Sequence, residues 1–259
     1  MDLGLTTRKA IICASSKGLG KACAIALAKE GCEVVINGRL GESLHETAKE
    51  IKSLTGATVI EVVGDVATQE GQRDLFKACP DPDILVTNNH GPAFRDFREL
   101  DRNTIIDGVT QNMVTPIELI KAVIDKMVSK KFGRIVNITS TSVYAPIAGL
   151  DLSSGARAGL TSFLAGIART VVADNVTINN LLPGPFLTDR LKQSFAAASE
   201  KTGIPVHEIV AKRQNQNPAK RFGNPEEFGQ ACAFLCSTKS GFITGQNLII
   251  DGGAYLSAF

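Results

Sequence analysis

Seven short apolar runs alternate with six longer helical patterns along this chain, and few folds are compatible with that order. The strand candidates are Ala10–Ala14, Glu33–Asn37, Thr58–Val63, Ile84–Asn88, Arg134–Thr139, Thr177–Leu182 and Asn247–Ile250. Between them lie helix candidates at Leu19–Glu30, Glu42–Leu54, Glu70–Cys79, Arg102–Lys130, Leu152–Asp174 and Pro225–Cys236. This alternation implies βαβ units, whose right-handed crossovers build a parallel sheet. Several strand runs are nearly continuous Val/Ile/Leu, as expected when helices cover both faces. In the fifth helix Leu160, Phe163, Leu164, Ile167 and Val171 recur at helical spacing, predicting one apolar stripe on the sheet and a polar opening turn facing a site. No linker or repeat divides the chain, so residues 1–259 are expected to form one doubly wound α/β domain with a seven-stranded parallel sheet. The least regular stretch, 183–224, follows the sixth strand and is placed to act as a substrate lid.

Composition narrows the class of protein. Hydrophobic residues at 44% and charged residues at 21% describe a globular chain able to bury a sizeable core. A formal charge of +2 gives no reason to expect nucleic acid or an acidic membrane surface. No apolar run approaches the roughly 20 residues that span a bilayer. Met1-Asp2-Leu3-Gly4 lacks the build of a signal peptide, so a cytoplasmic location is expected. Cys13, Cys23, Cys32, Cys79, Cys232 and Cys236 fall inside predicted elements without metal-ligand spacing, and are expected to be reduced core residues rather than metal ligands.

The first motif with chemical content is Ser15-Ser16-Lys17-Gly18-Leu19-Gly20, between the first strand and the first helix. Glycines there let backbone N–H groups at a helix N-terminus approach a pyrophosphate, whose charge the helix dipole favours. The second strand ends in Asn37-Gly38-Arg39, with no acid to select the ribose hydroxyls of NAD. Lys17 and Arg39 are therefore assigned to a 2′-phosphate, which predicts NADP(H) over NAD(H); the plainer reading makes both ordinary solvated cations.

The frame resembles the short-chain dehydrogenase/reductase family over nearly the whole chain, which implies a single Rossmann domain. Ser15 to Gly20 are similar to the family's glycine motif, although Cys13 and Ala14 stand where it has Thr and its first Gly. Asp65-Val66 resembles its adenine-contacting turn, and Asn88-Asn89-His90-Gly91 its Asn-Asn-Ala-Gly element beside the cofactor. Pro183-Gly184, with Phe186 and Thr188 further on, looks like the element that meets the nicotinamide. Arg221 to Glu227, Thr244-Gly245-Gln246 and Asp251-Gly252-Gly253 resemble the 3-oxoacyl-[acyl-carrier-protein] reductase branch. That resemblance implies a homo-oligomer, a tetramer or dimer, acting on a small-molecule carbonyl or alcohol.

The catalytic helix departs from the pattern. Ser140 matches the family's carbonyl-polarising Ser and Asn112 its helix Asn, but Ser153 and Arg157 stand where the family has Tyr and Lys. A serine hydroxyl is a far weaker acid than a phenol, and Arg157 cannot relay a proton near neutral pH, though it could hold the ribose. The only tyrosines, Tyr144 and Tyr255, are followed four residues later by Ala148 and Phe259, so no displaced Tyr-x-x-x-Lys pair exists. Tyr144 and His90 are candidate replacement acids; their plainer readings are a loop aromatic and a hydrogen-bonded scaffold residue. Asp151 reads as an N-terminal cap or first-turn charge, His207 as surface, and Lys212, Arg213, Lys220 and Arg221 as a solvated basic face rather than a site for an anionic acyl carrier or thioester. Three functions stay open: an NADP(H)-dependent carbonyl reductase or alcohol dehydrogenase with a nonstandard proton donor, a noncatalytic NADP(H)-binding protein, and a lyase-like use of the fold resembling halohydrin dehalogenases, which pair Ser and Tyr with Arg.

Overall fold

The computed structural model describes residues 1–257. Strands β1 (Lys9–Ile12), β2 (Glu33–Gly38), β3 (Val59–Val63), β4 (Ile84–Thr87), β5 (Gly133–Ile138), β6 (Val176–Pro183) and β7 (Asn247–Ile250) form one sheet in the order β3-β2-β1-β4-β5-β6-β7. Every pairing is parallel. Strand order reverses between β1 and β4, and the crevice beyond their carboxyl ends is where such sheets bind ligands. Successive residues point to opposite faces: Ile12, Ile36 and Val86 enter one core, Ile11, Val35 and Leu85 the other. Helices α1 (Gly18–Lys29), α2 (Gly41–Thr55) and α9 (Pro225–Cys236) cover the first face through Leu27, Leu44 and Phe228. On the second face lie α3 (Gln69–Ala78), α5 (Thr115–Ser129) and α6 (Asp151–Val171), through Leu75, Leu119 and Leu164.

The tightest helix contact is between α1 and α9. A Cβ on Gly229 would stand 2.4 Å from the Ala22 carbonyl oxygen, so the two backbones meet with no side chain between them.

The spacing predicts one helix over 102–130, and the structure divides it. After α4 (Arg102–Val109) the chain widens into a π turn at Thr110–Val114, with the Thr115 N–H bonded to the Thr110 carbonyl, before α5 begins. Pro116 is the cause: four residues after Asn112, it has no N–H for the Asn112 carbonyl and its ring crowds that oxygen. The apolar stripe of α6 also needs correction. Leu160, Leu164 and Val171 are buried, joined by Ala168, but Phe163 lies on the flank and is 45% exposed. The final turn of that predicted helix is a 3-10 turn, Val172–Asp174.

Residues 183–224 form two further helices, α7 (Asp189–Thr202) and α8 (Val206–Gln216). Phe195, Ile209 and Phe222 give them a small core of their own, and a bridge between Phe186 and Gly223 ties the segment's ends. His207 is exposed there. All six cysteines are buried and unpaired. Burial pushes the Cys13 thiol up to about 12 and Cys236 well above its ordinary value, which makes them poor nucleophiles. Among the described residues there is no metal-ligand cluster, and no helix long and apolar enough to cross a membrane.

Candidate active site

The turn between β1 and α1 is held from both sides. Ala14 adopts φ +44°, a left-handed conformation that costs a residue with a Cβ about 1–2 kcal/mol. Its N–H donates to Asn37 Oδ1 at 3.3 Å, and its carbonyl accepts from Asn88 Nδ2 at 3.1 Å. Ser15, fully buried, donates its hydroxyl to the Ile12 carbonyl at 2.7 Å and accepts from the Asn37 N–H at 3.0 Å. The Ser16 carbonyl accepts from Thr47 Oγ1, and Leu19 packs on the first core. A Cβ on Gly20 would come within 2.5 Å of the Ala14 carbonyl oxygen, so the helix can start this close only with glycine there. An Ala14→Gly variant is expected to relieve the backbone strain at the cost of a more flexible unfolded chain, for a net gain of about 0.5–1 kcal/mol. Thermal denaturation would show it as a rise of about 1–4 °C.

Unlike α3 and α9, which Thr68 and Asn224 cap, α1 begins at Lys17 with no side-chain cap and no acid in its first turn. Its open N–H groups and positive end suit a pyrophosphate. The segment after β6 faces this turn, with Thr188 Cγ2 3.7 Å from where a Cβ on Gly18 would stand. The exposed ammonium of Lys17 has no ion pair or hydrogen bond among the described residues. Arg39 is exposed at the end of β2, with Nη1 4.0 Å from Asp65 Oδ2. Asp65 Oδ1 accepts from the Ala67 N–H at 2.9 Å, and Val66 is buried in the second core.

Beyond β4, Asn89 Nδ2 donates to the Gln111 carbonyl at the π turn, while Asn89 Oδ1 accepts the His90 N–H at 2.9 Å and lies 3.1 Å from His90 Nδ1. Partial burial, with Arg39 and Arg190 nearby, lowers the His90 pKa against the opposing pull of Asp65, so the ring is neutral at pH 7. Asn112 donates through Nδ2 to the Gly108 carbonyl, and its buried Oδ1 has no partner among the described residues. Ser140 Oγ accepts from the Ser142 N–H at 3.1 Å, opening the 3-10 turn Thr141–Val143. Tyr144 turns toward β7: its hydroxyl accepts from Asn247 Nδ2 at 2.7 Å and its ring lies 5.5 Å from that of Tyr255. Asp151 opens α6, and its Oδ2 accepts from the Gly149 N–H.

Ser153 and Arg157 form a linked pair on α6. Arg157 is buried; its Nε donates to Ser153 Oγ at 3.3 Å, and its Nη1 donates to the carbonyls of Ile138 at 2.7 Å and Thr139 at 3.1 Å. The reason lies in the sheet. The Thr139 N–H bonds the Leu181 carbonyl, so the next rung of a parallel ladder would take the Thr139 carbonyl to the N–H of residue 183, a proline. Arg157 supplies the donor that Pro183 lacks. Burial, and then the nearby positive charge of Arg190, lower the Arg157 pKa to about 10, which leaves it cationic at neutral pH.

The remaining predicted residues divide between cleft and core. The Pro183 carbonyl accepts from Thr141 Oγ1 at 3.3 Å, and Gly184 packs against Asp251. Phe186 turns its side chain inward, edge-on to Phe228 with ring centroids 5.3 Å apart, so only its backbone faces the cleft side. Thr188 caps α7, its Oγ1 accepting from the Leu191 N–H at 3.4 Å. Gly91, Ser153 and Arg190 meet: Ser153 Oγ lies 3.5 Å, and both Arg190 terminal nitrogens 3.4 Å, from the position of a Cβ on Gly91. Arg190 has no signal at sequence level beyond its place two residues after Thr188. The gap that Arg157 fills was visible only as a proline at a strand end.

A doubly wound sheet with an open glycine turn at its switch point defines a dinucleotide-binding protein. The family described as Enoyl-(Acyl carrier protein) reductase matches residues 13–255. The chain is 30% identical to the NADPH-dependent reductase BacG of Bacillus subtilis (strain 168), over 98% of this chain and 100% of that protein. It is also 30% identical to the 3-oxoacyl-[acyl-carrier-protein] reductase FabG of Vibrio cholerae, over 98% and 100% respectively. L-Sorbose reductase from Gluconobacter frateurii, solved with NADPH and L-sorbose, superimposes with a TM-score of 0.93 at 28% identity, covering 98% of each chain. The chain belongs to the short-chain dehydrogenase/reductase family, in the branch of the 3-oxoacyl-[acyl-carrier-protein] reductases.

Proposed function

We propose that this protein is an NADP(H)-dependent oxidoreductase that reduces a small-molecule carbonyl, or oxidises the corresponding alcohol, without a tyrosine acid. The observation that carries the reading is the uncapped, acid-free N-terminus of α1 behind the glycine turn, flanked by Lys17 and Arg39. Those features fit a dinucleotide with a 2′-phosphate: α1 holds the pyrophosphate, the two cations hold the 2′-phosphate, and Asp65, Val66, Asn89, His90, Gly91, Gly184 and Thr188 line the remainder. NADPH, when bound, supplies the hydride. Ser140 donates a hydrogen bond that polarises the substrate carbonyl. Ser153 already accepts from Arg157, so its own hydroxyl proton is free for the substrate oxygen. The fixed charge of Arg157 beside that hydroxyl stabilises the alkoxide as it develops. Asn112 presents an acceptor with no protein partner, suited to an ordered water that resupplies the proton. The relatives' NADPH dependence supports the same reading.

We place the protein in the cytoplasm as a homo-oligomer, tetramer or dimer; exposed Ile105, Ile106, Val114 and Phe163 along α4 to α6 support a face buried between copies. Fluorescence titration tests the cofactor assignment: NADPH is expected to bind more tightly than NADH, and Arg39→Ala to weaken NADPH about 10-fold while sparing NADH. Tighter NADH binding by the wild type would refute it. Oxidation of bound NADPH across a panel of ketones and β-ketoacyl thioesters separates the reductase from a noncatalytic nucleotide-binding protein.

A further inference from the structure

Arg190, the second residue of α7, carries an exposed guanidinium with no ion pair or hydrogen bond among the described residues. Its neighbour Asp189 turns to Lys192 at 3.7 Å instead. A cation in the first turn of a helix opposes the helix dipole, so this arginine is not placed to stabilise α7. Both of its terminal nitrogens reach the open side of Gly91, where Ser153 Oγ also points. Behind Ser153 stands Arg157, buried and likewise without a carboxylate partner. Of the other charged groups nearby, Arg39 is close to Asp65, and His90 is neutral. Two guanidinium groups thus flank the Ser153 hydroxyl, and neither is paired with a carboxylate among the described residues.

We infer that the site takes carbonyl substrates carrying a carboxylate, and that Arg190 selects them by a forked pair of charge-assisted hydrogen bonds. Arg157, fixed on the sheet, adds charge at longer range. The carbonyl part of this statement rests on the reductase reading; the carboxylate part rests on the two arginines. A pyrophosphate oxygen of the cofactor offers the same chemistry, so the test separates the two anions.

The probes are acetoacetate and methyl acetoacetate, which differ in the carboxylate alone. With wild-type enzyme and NADPH, kcat/KM for acetoacetate is expected to exceed that for the ester by about 10–100-fold, the range of a charged hydrogen-bond pair. Arg190→Gln should bring the two near parity, leaving the NADPH Kd unmoved. A readout independent of turnover is the thermal midpoint: acetoacetate, and not the ester, should raise it, with or without NADP+ present, and the rise should vanish in Arg190→Gln. Equal use of acid and ester by the wild type would overturn the inference. So would a weakened NADPH Kd in Arg190→Gln with the acid preference intact, which assigns the arginine to the cofactor. If the wild type binds no NADPH, the reductase reading fails; the midpoint shift on nucleotide-free protein then decides the carboxylate assignment alone.

Discussion

A Ser153→Tyr, Arg157→Lys variant is expected to oxidise NADPH with methyl acetoacetate about 10²–10⁴-fold faster than the wild type, the usual contribution of a positioned general acid. The wild-type site offers a serine hydroxyl held by Arg157 Nε, a group that gives up its proton far less readily than a phenol. A tyrosine beside a lysine supplies a phenol whose pKa the ammonium lowers. The ring would extend toward Gly91, where the atoms met are the terminal nitrogens of the exposed Arg190, which can swing aside. The exchange has a stability cost: Arg157 Nη1 serves both the Ile138 and the Thr139 carbonyl, and a carbonyl that the shorter lysine fails to reach loses its donor, at about 1–3 kcal/mol. The control is Ser153→Phe with Arg157→Lys, which has the same bulk and no hydroxyl. A rate gain in the phenol variant but not the phenyl one identifies an acid-starved reductase; equal rates in both would mean that the pocket serves another chemistry.

Gly229→Ala should be a severely damaging single methyl in the scaffold. Its Cβ would stand 2.4 Å from the Ala22 carbonyl oxygen and 2.8 Å from its carbon, both backbone atoms that cannot rotate away. Accommodating it means pushing α9 off α1, and the displaced helices carry Phe228, Cys232 and Leu27 of the first core. Overpacking of this kind costs about 3 kcal/mol. At roughly 2–4 °C per kcal/mol, the thermal midpoint should fall by about 6–12 °C. Because the N-terminus of α1 is the end we propose for the pyrophosphate, NADPH affinity should fall with it. Gly155 has nothing within 4 Å of its added Cβ, so Gly155→Ala should leave the midpoint unchanged or raise it slightly. If Gly229→Ala and Gly155→Ala melt alike, the close approach of α1 and α9 is wrong.

Local pattern carried most of the architecture. Each predicted strand appears within two residues of its expected bounds, because continuous Val/Ile/Leu runs between helices have few other uses. The glycine turn was legible for a similar reason, since its place between strand and helix has a single geometric meaning. Long-range pairing was not legible. Nothing near Arg157 in sequence announces a strand end 18 residues earlier with an unpaired carbonyl, and Pro183 is 26 residues later. Arg190 lies 99 residues from Gly91 and meets it only in the folded chain. Tyr144 belongs to the same class: its spacing from Ser140 suits a substrate-facing loop, while its hydroxyl is engaged by Asn247 from β7. The π turn at Thr110–Val114 was closer to readable, because a proline four residues after Asn112 in a helical run is a local steric fact.

Arg157 fills the place of a missing backbone N–H. Its hydrogen bonds to Ile138 and Thr139 tie it to the end of β5. The positive charge beside Ser153 is therefore held by the protein's own backbone carbonyls. Ligands meet a field already oriented, and the conformational entropy of that side chain is lost once, during folding, rather than at each turnover. Arg190, on α7, has no such anchor among the described residues, and its exposed guanidinium is free to turn toward a ligand.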